Sequence, residues 1–219
     1  MTKKKYPISM EIAGPFAMFT RPDTGCDSSS YIAPTKTAVK GMIEAVLNMH
    51  TVEINPTRVE ICSRVKFQPW KFNSHVFNRK SDQIASENAL QIGLSILVDV
   101  CYKLYATVSN ADIDRIRDFL SEKEKRCVDQ GIDNACAYQS QFERWLKQGK
   151  SYRTPHLGLS EFLASYYGPI RKETKIDKSI NKKIPFFLNK IWTFPTFGEC
   201  VKPEFITAEV KQGVLSYVS

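Results

Sequence analysis

His50, His75 and His156 are the side chains of this chain best suited to carry protons near neutral pH. Metal-free cleavage of RNA needs a base to activate a 2′-hydroxyl and an acid to protonate the leaving 5′-oxygen. His50 and His75 are therefore the catalytic candidates. His50 follows a helical segment, where a polar contact at the helix end is the structural alternative. His75 shares a polar stretch with Arg79 and Lys80, a setting that suits RNA contact without catalysis. His156 reads as structural, in the turn into a late strand.

A second group of residues has the chemistry of phosphate binding. Between residues 14 and 46 a strand ending in glycine runs into a polar loop and then an amphipathic helix. The loop carries Arg21 and three consecutive serines, Ser28, Ser29 and Ser30; the helix opens with Pro34 and Thr35 and bears Lys36 and Lys40. Backbone N–H groups at a helix start favour anions, and lysines add charge, so Arg21, Lys36 and Lys40 are the expected phosphate contacts. Tyr31 is placed either to stack a base or to pack under the loop. Lys66, Trp70, Lys71 and Phe72 interleave basic and aromatic residues as single-strand binders do, and a strand with its own core face is the alternative. The stripe of Tyr138, Phe142, Trp145 and Leu146 has helical spacing and reads as core.

These candidates sit in a chain of 219 residues with a formal charge of +8 and a pI near 9.1. The excess of positive charge suits a polyanionic partner, and a merely solvated basic surface is the equal alternative on charge alone. At 42% hydrophobic and 25% charged residues the composition is globular. No apolar run approaches the roughly 20 residues of a spanning helix. The opening MTKKKYPISM has lysines but no apolar core after them. The six cysteines form no C-x-x-C pair and no zinc-site spacing with histidine, so they read as reduced thiols of a cytoplasmic protein. No glycine-rich nucleotide loop, Ser-His-Asp order or metal motif is present, and no cofactor is expected.

The elements that would position the candidates follow from periodicity. Residues 6–13 alternate, with Ile8, Met10 and Ile12 on one face and Ser9 and Glu11 on the other. Residues 35–48 read as a helix through Val39, Met42, Ile43, Val46 and Leu47. Strands are expected at 51–54 and 57–67, separated by a turn at Asn55–Pro56, and residues 68–90 read as a loop or long hairpin. Residues 94–108 are a β-prone run; helices are expected at 112–127 and 134–148, and one more strand within 157–167. Residues 171–183 are lysine-rich without apolar periodicity and read as an exposed connection. The order fits an α+β, ferredoxin-like (RRM-like) core over residues 1–167, followed by a small β-rich extension over residues 168–219.

The motifs align with a known family. Gly14-x-x-Ala17-x-Phe19-Thr20-x-Pro22, then Ser30-Tyr31-x-x-Pro34-Thr35-x-x-Ala38-x-x-Gly41-x-Ile43-Glu44-Ala45, resembles the fifth CRISPR-associated subunit family ("Cas-five"), nearest its type I-C, or d, subtype. Pro155-His156-Leu157-Gly158-x-x-Glu161-Phe162 is similar to a late motif of that subtype, with Ser160 where the motif has arginine. Val98-Asp99-Val100-x-Tyr102 is similar to a family strand.

The resemblance implies an RRM-like core that caps the 5′ handle of CRISPR RNA in type I, Cascade-type complexes of antiviral defence. It implies contacts with the backbone and large subunits, and only an indirect role toward target DNA. In the d subtype it further implies metal-free cleavage of precursor RNA by a tyrosine at the end of the first helix and a lysine–histidine pair near the start of the late helix. Here those positions carry Leu47 and Ala137–Tyr138. Leucine and alanine transfer no protons, and a tyrosine with a pKa near 10 is a poor base. The expectation is an RNA-binding assembly subunit that does not cut; the alternative is a metal-independent endoribonuclease with a relocated site at His50 or His75.

Overall fold

The computed structural model describes residues 4–25, 28–74, 90–193 and 198–217. Its strands are β1 (Tyr6–Ala17), β2 (Ser28–Ser29), β3 (Val52–Ile61), β4 (Phe67–Ser74), β5 (Leu90–Asn110), β6 (Tyr166–Gly168), β7 (Lys182–Trp192), β8 (Cys200–Lys211) and β9 (Val214–Ser216). Its helices are α1 (Lys36–Val46), α2 (Ile113–Ile116), α3 (Glu122–Asp129) and α4 (Asn134–Gln148), with a 3₁₀ turn at Arg117–Phe119.

Among the described residues one nine-stranded sheet runs in the order β6-β1-β5-β3-β9-β8-β7, with β2 and β4 both paired to the early part of β5. β5 lies between β1 and β3 and is antiparallel to both. The apolar alternation of β1 is realised: Ile8, Met10 and Ile12 are buried in the main core with Leu104, Ala106 and Val108 of β5 and Val52, Ile54, Val59 and Ile61 of β3. α1 adds Val39, Met42, Ile43 and Val46. α4 adds Tyr138, Phe142 and Leu146. Thr35 caps α1 by accepting the Ala38 N–H at 3.3 Å, and Gly149 ends α4 in the left-handed conformation at φ 64°, as its lack of a Cβ allows.

Several elements differ from the sequence pattern. Asn55–Pro56 is no turn: β3 runs through it, and a register shift between Pro56 and Arg58 keeps Val59 and Ile61 on the core face. Of the two readings of residues 68–90 the long hairpin is the one found, with β4 paired antiparallel to β5 from Phe67 opposite Leu97 to Ser74 opposite Leu90. The expected helix at 112–127 is broken into α2, the 3₁₀ turn and α3, because Ser121 starts α3 with a capping box to Glu124. Only Tyr166–Gly168 of the expected late strand pairs in the sheet, against Glu11–Ala13.

The lysine-rich connection is a strap across the second face of the sheet. Glu11, 0% exposed, accepts the Arg171 backbone N–H at 2.9 Å, the Arg171 Nε–H at 2.8 Å and the Thr174 hydroxyl at 2.8 Å. Lys103 of β5 donates to the Thr174 carbonyl at 2.6 Å, and the Asp177 N–H donates to Ile61 of β3 at 2.9 Å. The strap is thereby tied to all three central strands. Burial pushes the Glu11 carboxyl up, but the Arg171 and Thr174 hydrogen bonds outweigh it and hold its pKa below the ordinary value.

A carboxylate with a lowered folded pKa contributes stability above its unfolded pKa, and that contribution is lost as pH falls through the folded value. Stability measured by urea unfolding should therefore decline as pH falls below about 4. Glu11→Gln should lower stability at pH 7 by about 1–3 kcal/mol, the cost of breaking a buried charge-assisted network, and should flatten that acid-side decline.

Candidate nucleic-acid interface

The two motif blocks, far apart in the chain, lie against each other. The Met18 N–H donates to the Leu157 carbonyl at 2.9 Å and Ser165 N–H to Ala13 at 2.9 Å. A Cβ on Gly14 would stand 2.5 Å from Leu157 Cδ1; a Cβ on Gly158, whose φ is +97°, would stand 1.7 Å from the Met18 carbonyl oxygen. The glycines of both motifs are thus contact points between the end of β1 and the late loop. His156 pairs with Leu163 in an isolated bridge of that loop.

The loop after β1 folds back on itself. Tyr31 N–H donates to the Phe19 carbonyl at 2.8 Å, and Ser30 Oγ accepts the Phe19 N–H at 2.9 Å. Arg21 forms a two-pronged pair with Asp23, at 3.1 and 2.7 Å, which holds the Asp23 carboxyl below its ordinary pKa. The Arg21 guanidinium also lies 5.7 Å from the centre of the Tyr31 ring. Tyr31 itself is 1% exposed, edge-on to Phe187 at 5.0 Å, with its hydroxyl donating to the Phe186 carbonyl. Of its two expected roles the structure has the packing one; a buried ring has no open face for a base.

The start of α1 is also covered. Ile32, Ala33 and Thr35 are buried, and the Tyr217 hydroxyl donates to the Pro34 carbonyl at 2.6 Å. The lysines that follow line a groove instead. Lys36 and Lys40 share a cleft of about 420 Å³ with Asn55 of β3 and Lys190, Trp192 and Glu204 of the C-terminal hairpin. Burial, and then the neighbouring Lys190 charge, lower the pKa of Lys36. Lys40 pairs with Glu44 one turn on.

A second groove of about 440 Å³ lies between the β1–β2 loop and β7, lined by Arg21, Ser29, Phe67, Lys182, Lys183 and Pro185 among others. Lys66, Trp70 and Lys71 lie at and on β4, exposed: Lys66 is 3.5 Å from Asp99, and Trp70 stands edge-on to Phe16 at 5.3 Å. His75, Arg79 and Lys80 lie outside the described residues.

A third cleft, of about 480 Å³, brings together Leu47 at the end of α1 and Ala137 of α4, with Glu124, Cys127 and Gln141 around them. Tyr138 is fully buried and donates to the Leu47 carbonyl at 2.7 Å; burial raises its pKa. His50 stands nearby, its Nδ1 3.4 Å from Glu124 Oε1, and its backbone N–H donates to the same oxygen at 3.2 Å. Among the described residues no cluster of His, Cys, Asp and Glu could hold a metal ion, and no helix is long and apolar enough to cross a membrane.

Sequence reading missed Lys182, Lys183, Lys190 and Glu124 as groove-lining residues. The first two lay in the lysine-rich run taken as a connection. The others carry no local signal, because they reach their grooves only through the pairing of the hairpin and the docking of α3.

The family model described as CRISPR-associated protein (Cas_Cas5) matches residues 8–73. The chain is 28% identical over 164 residues to a protein of Thermus thermophilus named CRISPR pre-crRNA endoribonuclease Cas5d; the match covers 74% of this chain and 63% of that relative's length. It is 22% identical to the protein of the same name from Mannheimia succiniciproducens, over 95% of this chain and 93% of the relative. A solved structure titled as that of a CRISPR-associated protein superposes with a TM-score of 0.70 at 18% identity, covering 100% of this chain and 95% of that one, which is a likeness of fold. Over residues 8–73, and through these two relatives, the chain is similar to Cas5 proteins of the d kind.

Gly158→Ala should destabilise the protein by more than about 2 kcal/mol, because a side chain there meets both a left-handed backbone and the Met18 carbonyl. Thermal unfolding would measure it, with Gly41→Ala, whose Cβ meets nothing within 4 Å, as the tolerated comparison.

Proposed function

We propose that this protein holds the 5′ handle of CRISPR RNA and assembles a type I, Cascade-like antiviral interference complex in the cytoplasm, without cutting RNA itself. The match of residues 8–73 to the Cas5 family model and the similarity to two proteins named CRISPR pre-crRNA endoribonuclease Cas5d support the RNA and the complex. The observation that carries the non-cutting part is the cleft at Leu47 and Ala137. The two positions aligned with a catalytic tyrosine and lysine converge in space, as a working site would require, but carry side chains that cannot transfer protons. Tyr138, at the aligned histidine, is buried and spends its hydroxyl on a backbone carbonyl.

On this reading residues 1–167 form a ferredoxin-like core. The order β6-β1-β5-β3, with α1 and α4 packed into one core with those strands, supports it. Residues 168–219 are a β-rich extension whose hairpin supplies Lys190 opposite Lys36. The backbone and large subunits of the complex are the protein partners, and target DNA is met only through the assembly.

Purified protein incubated with precursor repeat RNA in EDTA should leave the RNA intact; cleavage at a specific repeat position would overturn the non-cutting reading. Handle affinity should fall with salt at a slope near −0.7 per phosphate contacted, and Lys36→Ala and Lys40→Ala should each reduce that slope by roughly one contact. Unchanged slopes would remove this groove from the interface.

A second reading has one observation in its favour. Glu124 lies 3.4 Å from His50 Nδ1, an arrangement that can orient an imidazole as a general base, and the cleft beside it is the one at Leu47 and Ala137. If the repeat RNA is cut and His50→Ala abolishes the cut while handle affinity persists, the protein is a metal-independent endoribonuclease with a relocated site. Cleavage that survives His50→Ala excludes this assignment.

A further inference from the structure

The residue that follows Pro185 of the second groove is unusual. Phe186 is 62% exposed, although it directly precedes the buried Phe187 on β7. Its φ is +51°, a left-handed conformation that a bulky side chain rarely adopts. The pairing of β7 with β8 shifts register between Ile184 and Phe187, so Pro185 and Phe186 form a bulge that turns both outward while Ile184 and Phe187 stay in the core. The conformation is pinned from below: the Tyr31 hydroxyl donates to the Phe186 carbonyl, and Phe187 packs between Tyr31 at 5.0 Å and Tyr217 at 6.4 Å. A strained backbone that holds an apolar ring in water is a cost to folding, and such features persist where the ring has a use.

The surroundings identify that use. Pro185, the residue before Phe186, lines the groove with Lys182, Lys183, Arg21 and the hydroxyl-bearing Ser29. Among the described residues no carboxylate lines it. The acid on Arg21 is Asp23, which leaves the charge of Lys182 and Lys183 to an incoming ligand. A groove of about 440 Å³ is in the range that takes a ligand of nucleotide size. Cationic and hydroxyl groups in a groove, followed along the chain by an exposed aromatic ring, supply a phosphate track and a stacking platform, the recognition scheme of single-stranded nucleic acid.

We propose that Phe186 is a base-stacking residue for single-stranded RNA whose backbone runs along the groove of Arg21, Lys182 and Lys183. The inference rests on the RNA-holding function above and adds to it a specific subsite on the C-terminal hairpin, separate from the Lys36–Lys190 groove. The two kinds of contact separate by their salt response. Stacking is insensitive to salt, whereas each phosphate contact contributes to the slope.

The test is fluorescence anisotropy with a labelled single-stranded repeat RNA across a salt series. Phe186→Ala should weaken binding by about tenfold or more at every salt concentration with an unchanged slope, and Phe186→Trp should restore affinity. Lys182→Ala and Lys183→Ala should each lower the slope by roughly one contact. Removing the ring relieves the core of nothing it uses, so the melting temperature of Phe186→Ala should match or exceed that of the wild type, which separates lost binding from lost folding. Wild-type binding with unchanged affinity in Phe186→Ala overturns the inference and leaves the RNA-holding function standing. If that variant keeps its RNA affinity but fails to enter the complex, Phe186 is a protein contact and the stacking role is excluded. Absence of RNA binding by the wild type overturns the RNA-holding function itself.

Discussion

The buried carboxylate of Glu11 is the contact on which the arrangement of this protein depends. A charge in the middle of a sheet is tolerated only when it is paired and hydrogen-bonded. Glu11 is fully buried, while the Arg171 side chain keeps 39% of its surface in water. The desolvation cost thus falls mainly on one partner. Such a pair contributes less to net stability than to specificity: it selects the one path by which the chain from β6 to β7 can cross the sheet. That path decides where the last three strands begin and which edge they join.

With the strap in place, the middle of the second face of the central strands is covered. Glu11, Glu60 and Lys103 are buried beneath it. Beneath the strap the sheet has no open surface on which a base could lie, while lysines line the clefts between the body and the C-terminal hairpin. That contrast favours the clefts over the covered part of the sheet as the place for RNA. The hairpin reaches those clefts because β9 pairs with β3 and β8 and β7 follow outward, so the strap and the two grooves are consequences of one topology.

The long periodic elements were legible in the residues. α4 occupies Asn134–Gln148 as its stripe and glycine stop indicated, and β1 has the predicted inward face. Elements that failed did so for identifiable reasons. Pro56 resembles a turn residue because a proline has no N–H to give, but a bulge satisfies the same constraint without ending the strand. The β4 segment has exposed Phe67, Gln68, Pro69, Trp70 and Lys71; a strand at a sheet edge with little burial shows no alternation to read. The strap looked like a solvated run because its one anchoring arginine finds its partner 160 residues away.

The sequence by itself determined the two motif blocks, and the likeness to Cas5 proteins rests on the first of them. It also determined that Leu47 and Ala137 cannot transfer protons, which is a property of side-chain chemistry alone. Tertiary structure decided that these two positions line one cleft, that Tyr31 packs instead of facing out, and that Lys36 is set against Lys190 across a groove. Such facts depend on pairing between strands far apart in the chain. Local periodicity reports which face of an element is apolar; it carries no information about which distant element covers that face.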